Sequence, residues 1–322
     1  MKFSEMPYKR PDLDAMERDY SRITEEFGKA DSAEEQYRLI LEHEKLTRDF
    51  DTMSTIAYIH NSINTADPFY EKEMAFFDAN SPVMNSWRQK FYEAVDRSPL
   101  KEKLEKRTGK LFFTNISLSL KSFSDATMEL QKKENALVTE YEKLLASAKI
   151  EFHGETLNLS EIQKHAISSD RGERSEAWTK TAGFFSENSK HLDEIFDELV
   201  RNRTEQAHLL GYENYVQLGY DRLGRNCYGP KEVAEYREQI VHELVPIITD
   251  IKKHQAQRLG LPALKFWDDA CIFPDGNPKP QGSTKELVDA AQKMYSEMSP
   301  LTGEFFRFMR ENELAGAETE QR

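Results

Sequence analysis

Helix boundary signals recur along the whole 322-residue chain, and they constrain the fold more than any other feature. A Ser, Asp or Asn before the first turn, or a glycine after the last one, marks where a helix begins or ends. Ser32 followed by Glu35 predicts a helix that continues to about Ile63. Asp170 begins a longer helical stretch, which Gly211 ends. The predicted fold class is therefore all-α, with mainly long helices.

Four other helical segments are predicted, and in two of them prolines set a boundary or a bend. The segment that begins at Pro68 is predicted to be interrupted at Ser81 and Pro82. A long helix is predicted over residues 118–148. Another opens at Pro230 and should kink at Pro246, and the last one runs from Ser283 to at least Asn312.

The one clear β signal is the segment Lys149–Leu159, KIEFHGETLNL. Two short apolar runs flank His153 and Gly154, and a tight hairpin turn needs the positive φ that glycine tolerates. We therefore predict a small hairpin near residues 149–159. It divides the chain into an N-terminal helical subdomain, 1–148, and a second subdomain, 149–322, made of the hairpin and further helices.

The charge balance disfavours two classes of partner, nucleic acids and anionic membranes. Lys and Arg total 44 against 57 Asp and Glu, which gives a net charge of −13. Binding to nucleic acid or to an anionic membrane needs a basic face, so neither partner is expected.

The N-terminus lacks an apolar signal segment and no stretch approaches a membrane span, so a cytoplasmic location is expected. Only Cys227 and Cys271 occur, which excludes a disulfide framework and leaves a single bridge open.

Two fragments begin like the zinc-binding motif HExxH, in which two histidines one turn apart face the same metal ion. They are His43-Glu44 and His242-Glu243. Both lack the second histidine, and in the latter Pro246 occupies its place. A surface or capping role is therefore predicted for each fragment.

Other catalytic patterns are also incomplete. A di-iron bundle needs two Glu-x-x-His motifs, and the chain has one, Glu205 to His208. The glycines of the loop-rich connection do not match a phosphate-binding spacing; they are Gly211, Gly219, Gly224 and Gly229. The two cysteines lie in loop-prone surroundings with no histidine evident as a partner, so buried inert thiols are the favoured interpretation. We predict no catalytic residue and no metal ligand in this chain.

Several stretches taken together nevertheless resemble a known family in their order and spacing. They are EFHGETLNL, SSDRGERSEAWTKTAGFF, the run from LVRNRTEQAHLLGYENYVQLGY to VHELVPI, FWDDACIFPDGNPKP, and MYSEMSPLTGEFFRFMRENEL. The chain is similar in these stretches to the thimet-oligopeptidase-like zinc peptidases, and especially to the oligoendopeptidase F and Pz-peptidase branch. The resemblance extends over nearly the whole chain and is strongest from about Lys149 onward.

The resemblance implies a two-lobed, almost wholly helical fold with a deep channel, in which a single zinc ion cleaves short peptides. In that family the HExxH helix follows the segment similar to SPLTGEFFRFMRENEL. Here the chain stops at Arg322, and its last residues, AGAETEQR, depart from the family pattern. The expected function is therefore the N-terminal substrate-channel portion of a zinc oligoendopeptidase, inactive alone. Zn²⁺ belongs to the complete enzyme, and this chain is not expected to bind it catalytically.

The residues expected to face the channel are Tyr212, Tyr215, Tyr220 and Arg222, with core packing as the alternative role for the tyrosines. A different function also stays open: a non-enzymatic helical scaffold or peptide-binding protein. The genomic sequence downstream of Arg322 separates the two, because only a truncated enzyme continues in frame to HExxH. In either case, apolar surface that a larger fold would bury is expected to promote self-association.

Overall fold

The computed structural model describes residues 2–314. The chain forms two compact units, one comprising Arg10–Pro274 and the other comprising the residues before Arg10 together with those from Asp275 onward. The departure from the family pattern expected over the last eight residues lies outside the described range. The subdomain boundary expected at residue 148 stays a prediction.

The larger unit is mainly helical. Its helices are α1 (Leu13–Lys29), α2 (Ala33–Ile63), α3 (Pro68–Asp96), α4 (Lys101–Thr108), α5 (Lys110–Ser122), α6 (Met128–Ala146), α7 (Gln163–Ala166), α8 (Arg171–Glu187), α9 (Ser189–Leu209), α10 (Tyr215–Arg222), α11 (Pro230–Gln239) and α12 (Val245–Arg258). Its strands are β1 (Ile150–Phe152) and β2 (Glu155–Leu157). The predicted all-α class with one small hairpin is thereby confirmed.

The hairpin is antiparallel and pairs Ile150 with Leu157. Gly154 has a φ of 87°, and His153 before it has a φ of 50°, so the turn uses the left-handed conformation that the sequence indicated. The inward side chains are buried and pack with α7 and α8; the cluster comprises Ile150, Phe152, Leu157, Ile162, Ala166 and Ala177. The hairpin is therefore fixed to α8 by a core of its own.

Helices α1 to α5 enclose the principal core, which contains Ile23, Phe27, Leu39, Ile40, Phe91, Val95, Leu104, Phe113 and Ile116. Helix α2 begins as predicted, because the Ser32 hydroxyl accepts a hydrogen bond from the Glu35 N–H at 3.1 Å. The Glu35 carboxylate pairs with Arg38 at 2.7 Å. The helix ends at Ile63, as the sequence indicated.

The interruption predicted at Ser81 and Pro82 is wrong, because α3 continues through both residues. A proline inside a helix has no N–H to donate to the carbonyl four residues earlier, here that of Asp78. That carbonyl accepts a hydrogen bond from the Asn135 side-chain amide of α6 at 3.0 Å. Tertiary contact therefore supplies the donor that the proline removes.

Two predicted single helices are each divided in the structure. The helix expected over 118–148 is broken by residues 123–127, where buried Phe123 is extended and residues 125–127 form a 3₁₀ turn. The stretch expected from Asp170 to Leu210 is broken at Asn188, which has a φ of −99° and a ψ of 5°. Gly211 ends it with a φ of 81°, as predicted.

The connection that contains the glycines and the helical region after it differ in detail from a plain loop and a kinked helix. The connection itself, predicted to be loop-rich, contains the short helix α10, with Gly219 inside it. The disturbance expected near Pro246 takes the form of a π-helical segment, Ile240–Leu244, between α11 and α12. Such a segment is a recognised cause of a helix bend. Between Pro262 and Ser283 the chain is irregular apart from one 3₁₀ turn, at Phe266–Asp268.

The smaller unit contains α13 (Thr284–Met298) and α14 (Pro300–Glu311), packed against each other. A single helix was predicted here and is wrong, because Ser299 is extended and caps α14 through its hydroxyl, with Pro300 in the first turn. The two helices approach closely at Gly303. In the same unit, Lys2 pairs with Glu313 at 2.8 Å.

Candidate functional site

A polar cleft of about 560 Å³ lies between α3, α5, α6 and α10 in the larger unit. Side-chain amides line much of it; they are those of Asn85, Gln89, Asn115, Gln131, Asn135 and Asn226. The lining also includes two arginines and two carboxylates. Amides both donate and accept hydrogen bonds, so this lining suits a ligand with alternating N–H and C=O groups.

Helix α10 brings two of the predicted channel residues to this cleft. Asn214 caps the helix, since its side-chain oxygen accepts from the Val216 N–H at 2.9 Å. Leu218 is fully buried and fixes the helix against its neighbours. Tyr215 and Arg222, seven residues apart, lie on the same helical face and both line the cleft.

An ion and amide network holds Arg222 in place. Its guanidinium donates to the Gln206 side-chain oxygen at 2.6 Å and to the Glu134 carboxylate at 3.3 Å. Glu134 also accepts from Arg203 at 2.6 Å. The Tyr215 ring lies 5.5 Å from the Arg203 guanidinium and 5.8 Å from that of Arg222. These contacts fix this wall of the cleft, where Arg222 and Arg203 share the carboxylate of Glu134.

The other two predicted channel residues lie elsewhere. Tyr212 lines a neighbouring groove, where its hydroxyl donates to the Asp221 carboxylate at 2.6 Å. Burial, which is the larger cause, and this hydrogen bond both raise the pKa of the Tyr212 phenol. Tyr220 packs under the Arg225 guanidinium at 4.4 Å and is not part of either lining. A channel role for all four residues stays a prediction.

Arg88 is a cleft residue that sequence reasoning missed. It lies on α3 beside Asn85 and Gln89, and its side chain is 23% exposed. Its Nη2 contacts the Met84 sulfur at 3.3 Å, while its Nε is buried without a hydrogen-bond partner. The carboxylate of Asp51 lies 4.0 Å away. The spacing 85, 88, 89 was readable as one helix face, but nothing in the sequence indicates what that face contacts.

His43 is buried in the core, and the surface or capping role predicted for it is wrong. Its side chain is fully enclosed and stacks on the Phe91 ring at 4.1 Å. Neither ring nitrogen has a hydrogen-bond partner, and the Glu44 carboxylate lies 3.6 Å away. Burial lowers the pKa of this imidazole. The stack on Phe91 explains how a histidine is accommodated here.

The second fragment lies at the surface, as predicted. His242 is largely exposed and pairs with Glu238 at 3.4 Å. Glu205 and His208, the single Glu-x-x-His match, lie on α9, where the His208 Nε2 is 3.1 Å from the Glu213 carbonyl oxygen. Within residues 2–314, no group of three His, Cys, Asp or Glu side chains could hold a metal ion. The described residues therefore do not fit a zinc site.

The two cysteines are separate free thiols. Cys227 is exposed, whereas Cys271 is buried with its sulfur 3.6 Å from the Phe273 carbonyl oxygen. The bridge that the sequence left open is thus absent from the described part of the chain. Across that same part, no helix is both long enough and apolar enough to cross a membrane.

Two family models match the chain. The peptidase M3 N-terminal domain matches residues 3–123, and peptidase family M3 matches residues 165–271. Together they cover most of the sequence. No curated protein sequence matches the chain.

Three solved structures are similar to this chain, and each carries the name of a peptidase. Pz peptidase A, solved with an inhibitor, is 41% identical, with a TM-score of 0.95 over 97% of this chain and 56% of its own. A protein assigned as oligoendopeptidase F from Bacillus anthracis str. Ames is 39% identical, with a TM-score of 0.94, over 98% of this chain and 58% of its own. A further protein assigned as oligoendopeptidase F is 40% identical, with a TM-score of 0.95, over 98% of this chain and 56% of its own. The chain thus spans a little over half the length of each.

Proposed function

Because the chain belongs to peptidase family M3, we propose that it forms the N-terminal, substrate-binding portion of a zinc oligoendopeptidase that hydrolyses short peptides. The observation that supports this role most directly is the amide-lined cleft between α3, α5, α6 and α10. An extended peptide offers one N–H and one C=O per residue. The amides of Gln131, Asn135 and Asn226 each use one N–H within the chain, so the second N–H and the amide oxygen of each can pair with the peptide. The cleft would hold the peptide main chain with little regard to its side chains.

The zinc ion belongs to the complete enzyme in this proposal. Zinc would polarise the scissile carbonyl and activate a water molecule, which is the chemistry of metal-assisted peptide hydrolysis. The described residues offer no set of ligands for it. The role of this chain is therefore to bind and orient the peptide, and hydrolysis by the chain alone is not expected. A cytoplasmic location is part of the same proposal.

Photo-crosslinking tests the binding role. A short peptide carrying a benzophenone group, incubated with the purified chain and irradiated, should label segments around residues 115–135 and 215–226. Tyr215→Leu should weaken labelling severalfold, because it removes a ring that lines the cleft. Tyr236→Leu is the matched control, since Tyr236 is exposed on α11 outside the cleft. Labelling that is confined to α11 and α12 would count against the cleft.

Hydrolysis is tested separately by mass spectrometry of an oligopeptide mixture incubated with the chain and Zn²⁺. We expect the peptides to remain intact. Turnover that a chelator abolishes would contradict the proposed division of roles, because it would require a complete metal site within this chain.

The alternative, a non-enzymatic helical scaffold, is favoured by one observation. The apolar side chains of α11, the π segment and α12 are exposed; they include Tyr236, Val241, Leu244, Val245, Ile247, Ile248 and Ile251. Such a face fits a partner helix as well as it fits the rest of an enzyme. An in-frame continuation to HExxH beyond Arg322 in the gene would support the enzyme, and a stop codon followed by no such sequence would support the scaffold.

A further inference from the structure

Arg88 differs from the other charged side chains of the cleft in having no oxygen acceptor for its guanidinium within the described part of the chain. Its Nη2 bonds to a sulfur, a weak acceptor, and its buried Nε has no partner. Within residues 2–314, Asp51 has the only carboxylate inside 4.0 Å, and at that distance it does not form a hydrogen bond. A guanidinium carries five N–H donors, so most of this donor capacity is unused.

The other charges of the cleft are already paired. Arg222 donates to Glu134 and Gln206, and Glu134 also accepts from Arg203. Asp221 accepts from the Tyr212 hydroxyl at 2.6 Å and from the Gln217 amide at 2.8 Å. Arg88 is therefore the cleft guanidinium that an anionic ligand group could bind without displacing an existing hydrogen bond to oxygen.

A carboxylate matches this donor in shape as well as charge. The planar guanidinium fork can donate two parallel hydrogen bonds to the two oxygens of one carboxylate. Beside it on α3, Asn85 contributes an amide to the lining, while the Gln89 amide is directed to Ser119 at 2.9 Å. A peptide that ends at Arg88 would thus place its last amide groups along an amide-lined wall.

We propose that the cleft binds the C-terminal carboxylate of a short peptide, with Arg88 as the residue that recognises it. This inference rests on the proposed peptide-binding role of the cleft. Arg88 binds the end of the peptide, whereas the amide side chains bind its main chain. Arg88 is therefore a specificity residue: it selects free peptide ends over chain interiors, and so short peptides over long polypeptides.

The experiment compares two forms of one peptide. An N-acetylated, alanine-rich pentapeptide is prepared with a free C-terminal carboxylate and with a C-terminal amide, and each is titrated into the full chain by calorimetry. The acid form should bind about tenfold more tightly, because a hydrogen-bonded charge pair has about that effect on affinity. Acetylation removes the N-terminal ammonium from both forms, so that pairing of that group with Asp221 or Glu134 contributes to neither affinity.

Two variants assign the preference to Arg88. Arg88→Gln should bind the acid and the amide equally, with the amide bound as in the wild type. Arg97→Gln is the matched control, because Arg97 lies at the C-terminal end of the same helix, is 78% exposed and is absent from the cleft lining. It should keep the full preference.

The outcomes separate the two proposals. Equal binding of acid and amide by the wild type overturns the role of Arg88 and leaves peptide binding by the cleft intact. Failure of both forms to bind overturns the proposed binding function as well. If Arg88→Gln does not fold, Asp51→Asn decides the question: freeing the guanidinium from Asp51 should raise acid affinity about twofold to fivefold, and no rise overturns the assignment.

Discussion

At the residue scale, two of the buried polar side chains differ in whether protein hydrogen bonds replace those to water. His43 has no hydrogen-bond partner, and burial lowers the pKa of its imidazole. Asp268 is equally enclosed but is fully paired. It accepts from Arg171 at 2.8 and 3.0 Å, from Arg174 at 2.9 Å and from the Lys265 N–H at 2.9 Å. Asp268 thereby fixes the 3₁₀ turn at residues 266–268 to α8.

The stabilisation from Asp268 should depend on pH. Burial alone would raise the pKa of this carboxyl, but the hydrogen bonds from Arg171, Lys265 and Arg174 outweigh it and lower the pKa from 3.8 to about 2. The unfolded state therefore binds the proton first as pH falls. The contribution is complete above about pH 4 and disappears between pH 4 and 2, a difference of about 2 kcal/mol.

Urea unfolding of wild type and Asp268→Asn checks this prediction. The variant should be less stable by about 3 kcal/mol or more at pH 7, because two arginine contacts lose their counter-charge. The gap between the two proteins should narrow as pH falls from 4 to 2. Asp250→Asn is the control: this carboxylate is exposed and pairs with Lys253 at 2.9 Å, so the change should be small. A constant gap for Asp268→Asn would contradict the assignment.

At the element scale, local capping residues determine where a helix begins or ends. Contacts with a neighbouring helix determine whether a helix continues through a proline. Pro82 lies inside α3 because Asn135 satisfies the carbonyl of Asp78. In contrast, Ser299 and Pro300 end one helix and begin another, because the Ser299 hydroxyl caps α14 through the Thr302 N–H at 3.1 Å. The same residue types, Ser followed by Pro, therefore give opposite results in the two compact units.

The packing of α13 on α14 should depend on Gly303. A Cβ at this position would lie 2.7 Å from the Ser296 Oγ and 2.8 Å from the Ser296 Cα, a distance that backbone cannot accommodate without moving. Gly303→Ala should therefore separate the helices at a cost of about 1–3 kcal/mol. Faster amide hydrogen exchange in residues 284–311 is the expected measurement.

Gly183→Ala provides the comparison. Gly183 lies inside α8, and a Cβ added there would meet no neighbouring atom within 4 Å, so alanine enters open space. Higher helix propensity should stabilise that variant by about 0.5–1 kcal/mol. Unchanged exchange in residues 284–311 of Gly303→Ala would show that the close approach of Gly303 to Ser296 does not limit the packing of α13 on α14.

At the scale of the whole molecule, each compact unit exposes apolar surface that helical proteins ordinarily bury. In the larger unit, this is the face of α11, the π segment and α12 already described. In the smaller unit it comprises Leu301, Phe305 and Phe308 on α14. An amphipathic helix ordinarily turns such a stripe toward a core. Contiguous apolar surface of this kind favours association.

We therefore expect the purified chain to self-associate. Its apparent mass in analytical ultracentrifugation should rise with protein concentration, and Ile247→Glu should reduce that rise because it places a charge in the exposed face. Leu111→Glu is the control, since Leu111 is an exposed apolar residue at the start of α5, outside that face. A strict monomer over a wide concentration range would contradict the prediction.

The sequence by itself determined the local features of this protein. The Ser32 cap, the Gly211 stop and the turn at Gly154 each depend on one or two neighbouring residues, so their signals are readable in the chain. The family resemblance was readable for a related reason: it is carried by the order and spacing of many short stretches, and the matching structures confirm it.

The tertiary structure decided what lies between elements. The sequence could not show that Asn135 would complete a helix with Pro82 inside it, or that His43 would stack on Phe91 in the core. Nor could it bring Arg88 of α3 to the same cleft as Tyr215 and Arg222 of α10. These contacts join residues far apart in the chain, and their energies depend on burial and distance, which exist only once the helices have packed.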